Sequence, residues 1–265
     1  MKVTEIECKT ALSKSSLPGL SYSLNPYRGC QHRCAYCYAP CVLRIPRDLW
    51  ETTLEVKVNI PRILEKEVRT KQPGIVGIST VTDPYQPLEQ KYRLTRCCLE
   101  QLLLHGFPAH IQTKSALVTR DLDLLSRFSD SQVMMSIGTL NDNERRVLEP
   151  YSSSIQQRLD AVRMFADSGV RTAIFFGPVY PTITEEDVPI ILERFKEAGI
   201  MEIWIDRLNL KPGIWENIQK NIHQNPEMVK IFSQQVRQNT QYYIDIQETI
   251  RKKGRERNLK IIDAF

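Results

Sequence analysis

The sequence has no apolar segment that approaches the roughly 20 residues needed to cross a membrane, and residues 1–20 contain no apolar core of signal-peptide length. Lys and Arg alternate with Asp and Glu along most of the chain, and the formal net charge is only +5 over 265 residues. The 4 histidines follow no metal-binding spacing. From these absences we expect a cytoplasmic protein with no membrane partner, for which nucleic acid is a permitted but not a required partner.

The 7 cysteines are an odd number, and four of them crowd into residues 30–41. A secreted disulfide framework favours an even number of spaced cysteines, so the crowding indicates metal binding in a reducing compartment. The remaining cysteines are expected to be small buried apolar residues: Cys8, Cys97 and Cys98.

Short apolar segments alternate with amphipathic ones along most of the chain, which predicts repeated β–α units. The apolar segments suit parallel strands covered on both faces, and they fall near Ser21–Asn25 and at 74–80, 109–113, 132–137, 171–176 and 201–205. The amphipathic segments predict helices at 61–70, 87–105, 120–128, 155–168 and 185–198. About six such units predict an α/β fold, a partial (β/α)6 TIM-type barrel with its chemistry where strands end.

Three regions follow from this pattern. Residues 1–19 form an N-terminal extension and residues 20–212 form the barrel. Residues 213–265 are rich in Gln and Asn and predict a helical C-terminal extension, helical over about 226–253, with no further strand. We expect it to pack on the barrel, with a partner-binding arm as the alternative.

The segment Ser23–Pro40, SLNPYRGCQHRCAYCYAP, places Cys30, Cys34 and Cys37 within one short stretch. Three thiolates on one loop can bind a cubane iron–sulfur cluster and leave one of its irons open for a substrate atom. A structural zinc site with Cys41 or His32 as fourth ligand is an alternative. So is a four-cysteine electron-transfer cluster that includes Cys41, although the preceding proline hinders that fold-back.

This spacing, with Tyr36 before the third cysteine, resembles the signature of the radical S-adenosylmethionine superfamily. The longer string NPYRGC–CAYCY, with TDPYQPLE at Thr82–Glu89 and LEP at Leu148–Pro150, is similar to the spore photoproduct lyase-like branch over about residues 20–210. The resemblance implies a partial barrel of the radical S-adenosylmethionine kind and a 4Fe-4S cluster on the three cysteines. S-adenosylmethionine would chelate the open iron.

The resemblance also implies the chemistry. One electron, from a reducing partner such as flavodoxin or ferredoxin, would cleave S-adenosylmethionine to methionine and a 5′-deoxyadenosyl radical. The radical would then take a hydrogen atom from the substrate, while the protein excludes water and orients the reacting C–H bond.

Residues near the cysteines and the second strand take roles by the same resemblance. Tyr36 would line the adenine and Tyr38 the methionine side or a radical relay, with simple packing as the alternative. Ser79, Thr80 and Thr82 are hydroxyl donors at a strand end. Thr80 aligns with a hydrogen-donating cysteine of spore photoproduct lyase, and the absence of a thiol there argues against thymine-dimer repair by the same route.

Later strand ends supply further candidates. Lys114 would pair with the cofactor carboxylate, Ser136 would bond the ribose, and Glu149 and Arg158 would bind the cofactor or brace its pocket. Gly177 would let the backbone approach adenine. The alternatives are a surface lysine, a surface ion pair and a simple turn. Candidate substrate contacts lie on loops at the same face: Asp83, Tyr85, Gln86, Asp206 and Arg207.

Three functions remain open. The first is a radical enzyme that repairs or modifies a nucleic-acid base, which the basic run RKKGRER at 251–257 would support. The second is the same chemistry on a peptide, protein side chain or small metabolite. The third is a non-catalytic, zinc-stabilised binding protein.

Overall fold

The computed structural model describes residues 1–238 and 241–264. The strands are Lys2–Ile6 (β1), Leu12–Lys14 (β2), Tyr22–Leu24 (β3), Tyr27–Arg28 (β4), Thr53–Lys57 (β5), Val76–Ile78 (β6), Ala109–Thr113 (β7), Ser131–Ser136 (β8), Arg171–Phe176 (β9), Glu202–Ile205 (β10) and Lys260–Asp263 (β11).

The helices alternate with these strands through the barrel. They are Ala39–Leu43 (α1), Arg47–Thr52 (α2), Ile60–Val68 (α3), Glu89–Tyr92 (α4), Leu94–Leu104 (α5), Leu122–Leu125 (α6), Asp142–Leu148 (α7), Ile155–Asp167 (α8), Asp187–Glu197 (α9), Ile214–Ile222 (α10), Pro226–Ser233 (α11) and Tyr242–Glu256 (α12). A 3₁₀ turn at Ala116–Asp121 precedes α6, and a π-helical segment at Gln234–Gln238 follows α11.

The described residues form an eight-stranded sheet in the order β11-β10-β9-β8-β7-β6-β3-β2. Only β2 is antiparallel to its neighbour, and every pairing from β3 to β11 is parallel. The two edge strands do not pair with each other, so the barrel is partial. This confirms the predicted α/β fold, and it brings the carboxyl ends of the strands to one face.

The core lies on both sides of this sheet, because the central strands are apolar on both faces. Ala173 and Ile174 are neighbours in β9 that point to opposite faces, and both are fully buried. A smaller apolar cluster, separate from this core, contains Cys30, Ala39 and Trp50. That cluster joins the cysteine loop to α1 and α2.

A second sheet, in the order β1-β5-β4, uses part of the predicted N-terminal extension. Strand β1 pairs parallel with β5, and β4 pairs antiparallel with β5, with Tyr27 opposite Val56. Neither β1 nor β5 was predicted, because both are short and alternate with charged residues. Their position matters because β4 leads directly into the cysteine loop.

The helix predicted over 87–105 is two helices, since Arg93 adopts a left-handed conformation with φ of +53°. The buried carboxylate of Glu89 explains the break, because it accepts the backbone N–H of Thr95 at 3.1 Å in the first turn of α5. A side chain from the preceding helix therefore caps the next one. The helix predicted over 120–128 is likewise shorter than expected, a 3₁₀ turn followed by α6.

The C-terminal segment contains α10, α11 and α12, but it ends in a strand. Strand β11 pairs parallel with β10, with Lys260 opposite Glu202 and Asp263 opposite Ile205. The prediction of a purely helical extension is wrong over these residues. Four residues at a sheet edge show too little apolar pattern to predict a strand. These residues form a strand because their backbone pairs with that of β10.

None of the helices in the described part of the chain combines the length and apolarity that a bilayer span requires.

The C-terminal segment is expected to contribute to stability as part of the fold, because α12 packs on α9 and its Ile250 is fully buried. Ile250→Ala should lower the free energy of unfolding by about 2–4 kcal/mol. The matched control is Ile244→Ala in the same helix, where the side chain is 56 % exposed and the change should stay near 0.5 kcal/mol. Urea unfolding of both variants measures the difference. Equal, small effects would support the partner-binding arm instead.

Candidate functional site

The loop that carries the three predicted cluster ligands begins directly after β4. Gly29 turns the chain with a φ of +105°, and a Cβ there would lie 2.7 Å from the carbonyl oxygen of Thr53, so glycine is required. Cys30 is buried, Cys34 and Cys37 are half-buried, and the Cys37 N–H donates to the Cys34 carbonyl at 3.1 Å. One tight loop therefore holds all three thiols.

Burial raises the pKa of all three thiols, that of Cys30 to about 12. The Lys114 ammonium opposes this effect at Cys34 and Cys37, and the Arg47 guanidinium opposes it at Cys37. Thiolates in this setting need more positive charge than these two side chains supply, and iron ions provide it. The donor set therefore fits an iron–sulfur cluster.

The zinc alternative needs four donors around one ion, and its two candidate fourth ligands lie against other groups. His32 Nδ1 lies 3.3 Å from Asp83 Oδ2, and the Cys41 thiol donates to the Pro212 carbonyl at 3.4 Å. Among residues 1–238 and 241–264, no three Cys, His, Asp or Glu side chains are placed to hold a single ion. Cysteines that bind different irons of a cubane do not need to meet at one point.

Two side chains of the Thr82–Glu89 segment fasten the cysteine loop to the end of β6. The Gln86 side chain accepts the Gln31 N–H at 2.9 Å and donates to Thr82 Oγ1 at 3.3 Å. Thr82 in turn donates to the Gly29 carbonyl at 2.5 Å. Thr82, predicted to bind the cofactor, therefore has its hydroxyl committed to holding the loop.

Asp83 is the centre of a second set of contacts to the cysteine loop. Its carboxylate accepts the Thr113 hydroxyl at 2.7 Å and the Lys114 N–H at 2.8 Å, and it faces His32. Burial raises the pKa of Asp83, but His32 and these hydrogen bonds outweigh burial and lower the pKa to about 2. The ionised carboxylate thus joins the cysteine loop to the end of β7.

Three residues expected to contact substrate lie inside the protein instead. Asp83 makes the contacts above, Tyr85 is fully buried with its hydroxyl 3.1 Å from Asp121 Oδ2, and Gln86 is fully buried. For these three the prediction was wrong, because polar residues after a strand can serve a neighbouring loop as well as a ligand. The sequence alone does not distinguish the two uses.

Near Cys34, Glu149 and Arg158 form a buried ion pair. The Tyr36 hydroxyl donates to Glu149, and the Ser152 hydroxyl lies within hydrogen-bond distance of both ion-pair partners. The Arg158 guanidinium also donates to the Ser136 carbonyl at 2.8 Å, at the end of β8. The pair therefore ties the loop to a barrel strand.

Glu149 and Arg158 are 1 % and 0 % exposed, which excludes the surface ion pair considered above. Burial raises the pKa of Glu149, but Arg158 and Lys114 outweigh it and lower the pKa to about 2. The Lys114 ammonium lies 5.7 Å from the Tyr36 ring centre. Burial lowers the pKa of Lys114, yet Cys34 and Glu149 raise it overall. A charged lysine therefore faces the cysteine loop from β7.

The end of β6 presents a polar atom without a partner. Ser79 has a φ of +65°, and its hydroxyl is buried and makes no hydrogen bond to any described residue. Thr80 contributes its carbonyl, which accepts the Tyr38 hydroxyl at 2.9 Å. Ser79 is thus a donor available to a bound ligand, whereas the structure gives no such role to the Thr80 hydroxyl.

At the other strand ends, Ser136 Oγ accepts a hydrogen bond from Gln112 Nε2 at 3.3 Å. A side chain at Gly177 would meet the Phe175 ring at 2.4 Å, so packing requires this glycine whether or not a ligand approaches it. Both residues lie at the same face as the cysteine loop. Their contacts to a cofactor stay predictions.

The mouth of the site lies near Tyr38, which is 47 % exposed. The Lys211 ammonium lies 5.6 Å from the centre of its ring. Asp206 is half-buried after β10, where burial raises its pKa, and Arg207 is exposed. Of the predicted substrate contacts, these last two have exposed surface.

Sequence reasoning missed Ser152 and Tyr180. Ser152 lies in the run of serines after the LEP motif. The run is visible in the sequence, but the sequence does not indicate which of its serines is buried. Tyr180 is buried with its ring 6.1 Å from that of Tyr36, in an edge-to-face arrangement. It follows β9, and no charged or metal-binding neighbour marked it.

The chain matches the sequence model of the Radical SAM superfamily over residues 24–201. It is 31 % identical over 257 residues to an uncharacterized protein of Methanocaldococcus jannaschii, covering 96 % of this chain and 95 % of that protein. It is 28 % identical to the radical SAM Nalpha-GlyT isomerase of Pseudomonas phage M6, over 78 % of this chain and 44 % of that protein.

Among solved structures, the fold is similar to that of a spore photoproduct lyase variant with bound AdoMet and dinucleoside spore photoproduct. The TM-score is 0.73 at 16 % identity, over 99 % of this chain and 82 % of the lyase chain. At this identity the similarity establishes the fold.

Glu149→Gln should be strongly destabilising, because it leaves the buried Arg158 guanidinium without a counter-charge. We expect a loss of about 3–5 kcal/mol in the free energy of unfolding. Glu197→Gln is the control, since its ion pair with Arg194 is 50 % and 44 % exposed and should contribute less than about 1 kcal/mol. Denaturant titration of both variants provides the comparison. A loss at Glu149 no larger than at Glu197 would show that the buried pair does not hold the loop.

Proposed function

Because this chain belongs to the radical S-adenosylmethionine superfamily, we propose that it is an enzyme that uses a 4Fe-4S cluster on Cys30, Cys34 and Cys37. Membership implies S-adenosylmethionine and an iron–sulfur cluster as cofactors. The observation that carries the cluster type is the single tight loop of three buried or half-buried thiols, in which the Lys114 charge acts on Cys34 and Cys37 and the Arg47 charge acts on Cys37. When bound, the cluster and S-adenosylmethionine supply one-electron cleavage chemistry that generates a radical able to take hydrogen from a C–H bond.

The protein residues have three tasks in this proposal. Lys114 is placed to neutralise a carboxylate beside the cysteine loop, and the unpartnered Ser79 hydroxyl is placed to bond a polar group at the end of β6. Tyr36, which belongs to the cysteine loop, is held by the hydrogen bond that its hydroxyl donates to Glu149. Burial of this region excludes water from the reacting centre.

The substrate class proposed first is a nucleic-acid base. The support is the spore photoproduct lyase of the same fold with its dinucleoside, together with an exposed Tyr38 ring that a base can stack on. The basic run at 251–257 gives weaker support, since Arg251, Lys253 and Arg257 pair with Asp263, Glu256 and Glu193, which leaves Lys252 and Arg255 as its exposed cations. Peptide or small-metabolite substrates are outcomes of the test below.

The cofactor proposal predicts a cluster that responds to S-adenosylmethionine. Electron paramagnetic resonance of anaerobically reconstituted, reduced protein should show a 4Fe-4S signal that changes when S-adenosylmethionine is added. Cys34→Ala should abolish the signal. Lys114→Met should keep it but need about tenfold more S-adenosylmethionine for the same change, as expected for a lost charge-assisted contact.

The control is Lys220→Met on the exposed face of α10, which should behave as the parent protein. Bound zinc in place of iron and sulfide, or a cluster signal blind to S-adenosylmethionine, would rule out the proposed function.

The substrate class is testable without knowing the substrate. Cells grown in deuterium oxide supply deuterated nucleic acid, peptide and small-metabolite fractions, and each is incubated with reduced enzyme and S-adenosylmethionine. The substrate-containing fraction should transfer deuterium to 5′-deoxyadenosine, seen as a mass increase. Transfer from the nucleic-acid fraction is the expected result. Transfer only from the peptide or metabolite fraction would replace the nucleic-acid proposal with that class.

A further inference from the structure

A groove of about 690 Å³ lies directly after the cysteine loop in the chain. We call it the basic groove. Its lining comes from α1, the start of α2 and the segment after β10: Pro40–Val42, Arg44–Arg47 and Lys211–Gly213. We propose that the basic groove is the docking site of an acidic one-electron carrier protein that reduces the cluster, and this rests on the proposed function.

The first support is distance to the cluster ligands. The Arg47 guanidinium donates to the Cys37 carbonyl at 2.8 Å. Ile45, which lines the groove, also packs in the small apolar cluster that contains Cys30 and Cys37. A protein seated in the groove is therefore separated from the thiols by one layer of side chains.

The second support is charge. Three cationic residues line the groove, Arg44, Arg47 and Lys211, and no acidic residue does. Across the described chain, none of the three pairs with a carboxylate. A surface with unpaired positive charge attracts an acidic partner and raises its association rate.

The third support separates a protein partner from nucleic acid. Val42 lines the groove and is 48 % exposed, and Leu49 of the adjoining α2 is 47 % exposed. None of the described residues that line the groove is aromatic, so a stacked base would lie outside the groove, at the Tyr38 ring that the Lys211 ammonium faces at 5.6 Å. Exposed apolar side chains beside unpaired positive charge are the pattern of a protein interface.

The chemistry requires such a contact. Before S-adenosylmethionine can be cleaved, the cluster would need one electron, which the reduced carrier would give up, so that the carrier is oxidised by one electron and the cluster is reduced by one. No residue described here is a redox donor of that kind. The carrier must therefore approach from outside, and the basic groove reaches the surface beside Cys37.

The experiment compares a protein reductant with a chemical one. Reduced flavodoxin is the probe carrier, and dithionite reduces the cluster without docking. Arg44→Glu places a negative charge in the groove, and Val42→Glu, at an exposed apolar position, tests the same surface without removing a cation. Lys66→Glu is the control, an exposed lysine on α3 that does not line the groove.

We expect Arg44→Glu to weaken flavodoxin binding and slow flavodoxin-driven cluster reduction by roughly tenfold at low salt. The difference should disappear near 1 M salt, where the Debye length is about 3 Å. Val42→Glu should act in the same direction, and Lys66→Glu should have no effect. Binding is measured by the anisotropy of the flavin fluorescence and reduction by stopped-flow bleaching of the cluster.

Dithionite-supported cleavage of S-adenosylmethionine, measured as 5′-deoxyadenosine, should be equal in all of these proteins. Unchanged flavodoxin binding and reduction in both groove variants would overturn the docking site. A groove variant that loses oligonucleotide binding but keeps flavodoxin binding would assign the groove to nucleic acid instead. Absence of dithionite-supported cleavage in the parent protein would instead be a failure of the proposed function, so the two failures are distinguishable.

Discussion

The buried ion pair between Glu149 and Arg158 is the interaction on which the geometry of the site depends. Each charge taken out of water costs several kcal/mol, and this pair offsets the cost with almost complete hydrogen bonding. Arg158 reaches the carbonyl of Ser136 at the end of β8, and Glu149 receives the Tyr36 hydroxyl from the cysteine loop. A loop without regular structure is thereby held in one position against a barrel strand.

Asp83 holds the other flank of the same loop. Its carboxylate lies 3.3 Å from His32 Nδ1 and accepts hydrogen bonds from the Thr113 hydroxyl and the backbone N–H of Lys114. Two ionised carboxylates thus lie near the cysteines, Asp83 near Cys30 and Glu149 near Cys34, and Lys114 lies near both. The lysine stays charged because burial is outweighed by these anions and by Cys34. The cysteines are therefore positioned by Asp83 and by the Glu149–Arg158 pair, which contact the ends of β7 and β8. The hydrogen bonds of Gln86 and Thr82 also hold the loop.

The sequence predicted the parts of the molecule whose signal is local. The apolar runs at 109–113 and 171–176 became β7 and β9 with the same bounds, because strands buried on both faces leave an uninterrupted apolar pattern. The cysteine spacing predicted the loop because its three cysteines also lie close together in the sequence. Strand β11 and the break at Arg93 were not predictable, since each depends on a distant partner: the backbone of β10 and the Glu89 carboxylate. Asp83 and Gln86 show the limit for the site, because a polar residue that braces a loop and one that binds a ligand have the same sequence pattern.

The cysteine loop has different electrostatic environments near Cys34 and near Cys37, and the two environments suit different binding partners. Around Cys34 lie Tyr36 and Glu149, which are enclosed and hydrogen-bonded to each other, and Lys114, whose charge acts on Cys34 and Cys37. On the flank of Cys37 lie Arg47 and the open basic groove. Small polar molecules are held best by fixed donors with few rotatable bonds, which describes the first flank. Transient protein partners are attracted best by exposed charge around apolar surface, which describes the second. In the proposed function, the cofactor would therefore approach the loop near Cys34 and the electron donor would approach it near Cys37. Neither approach would break a contact between the loop and the barrel.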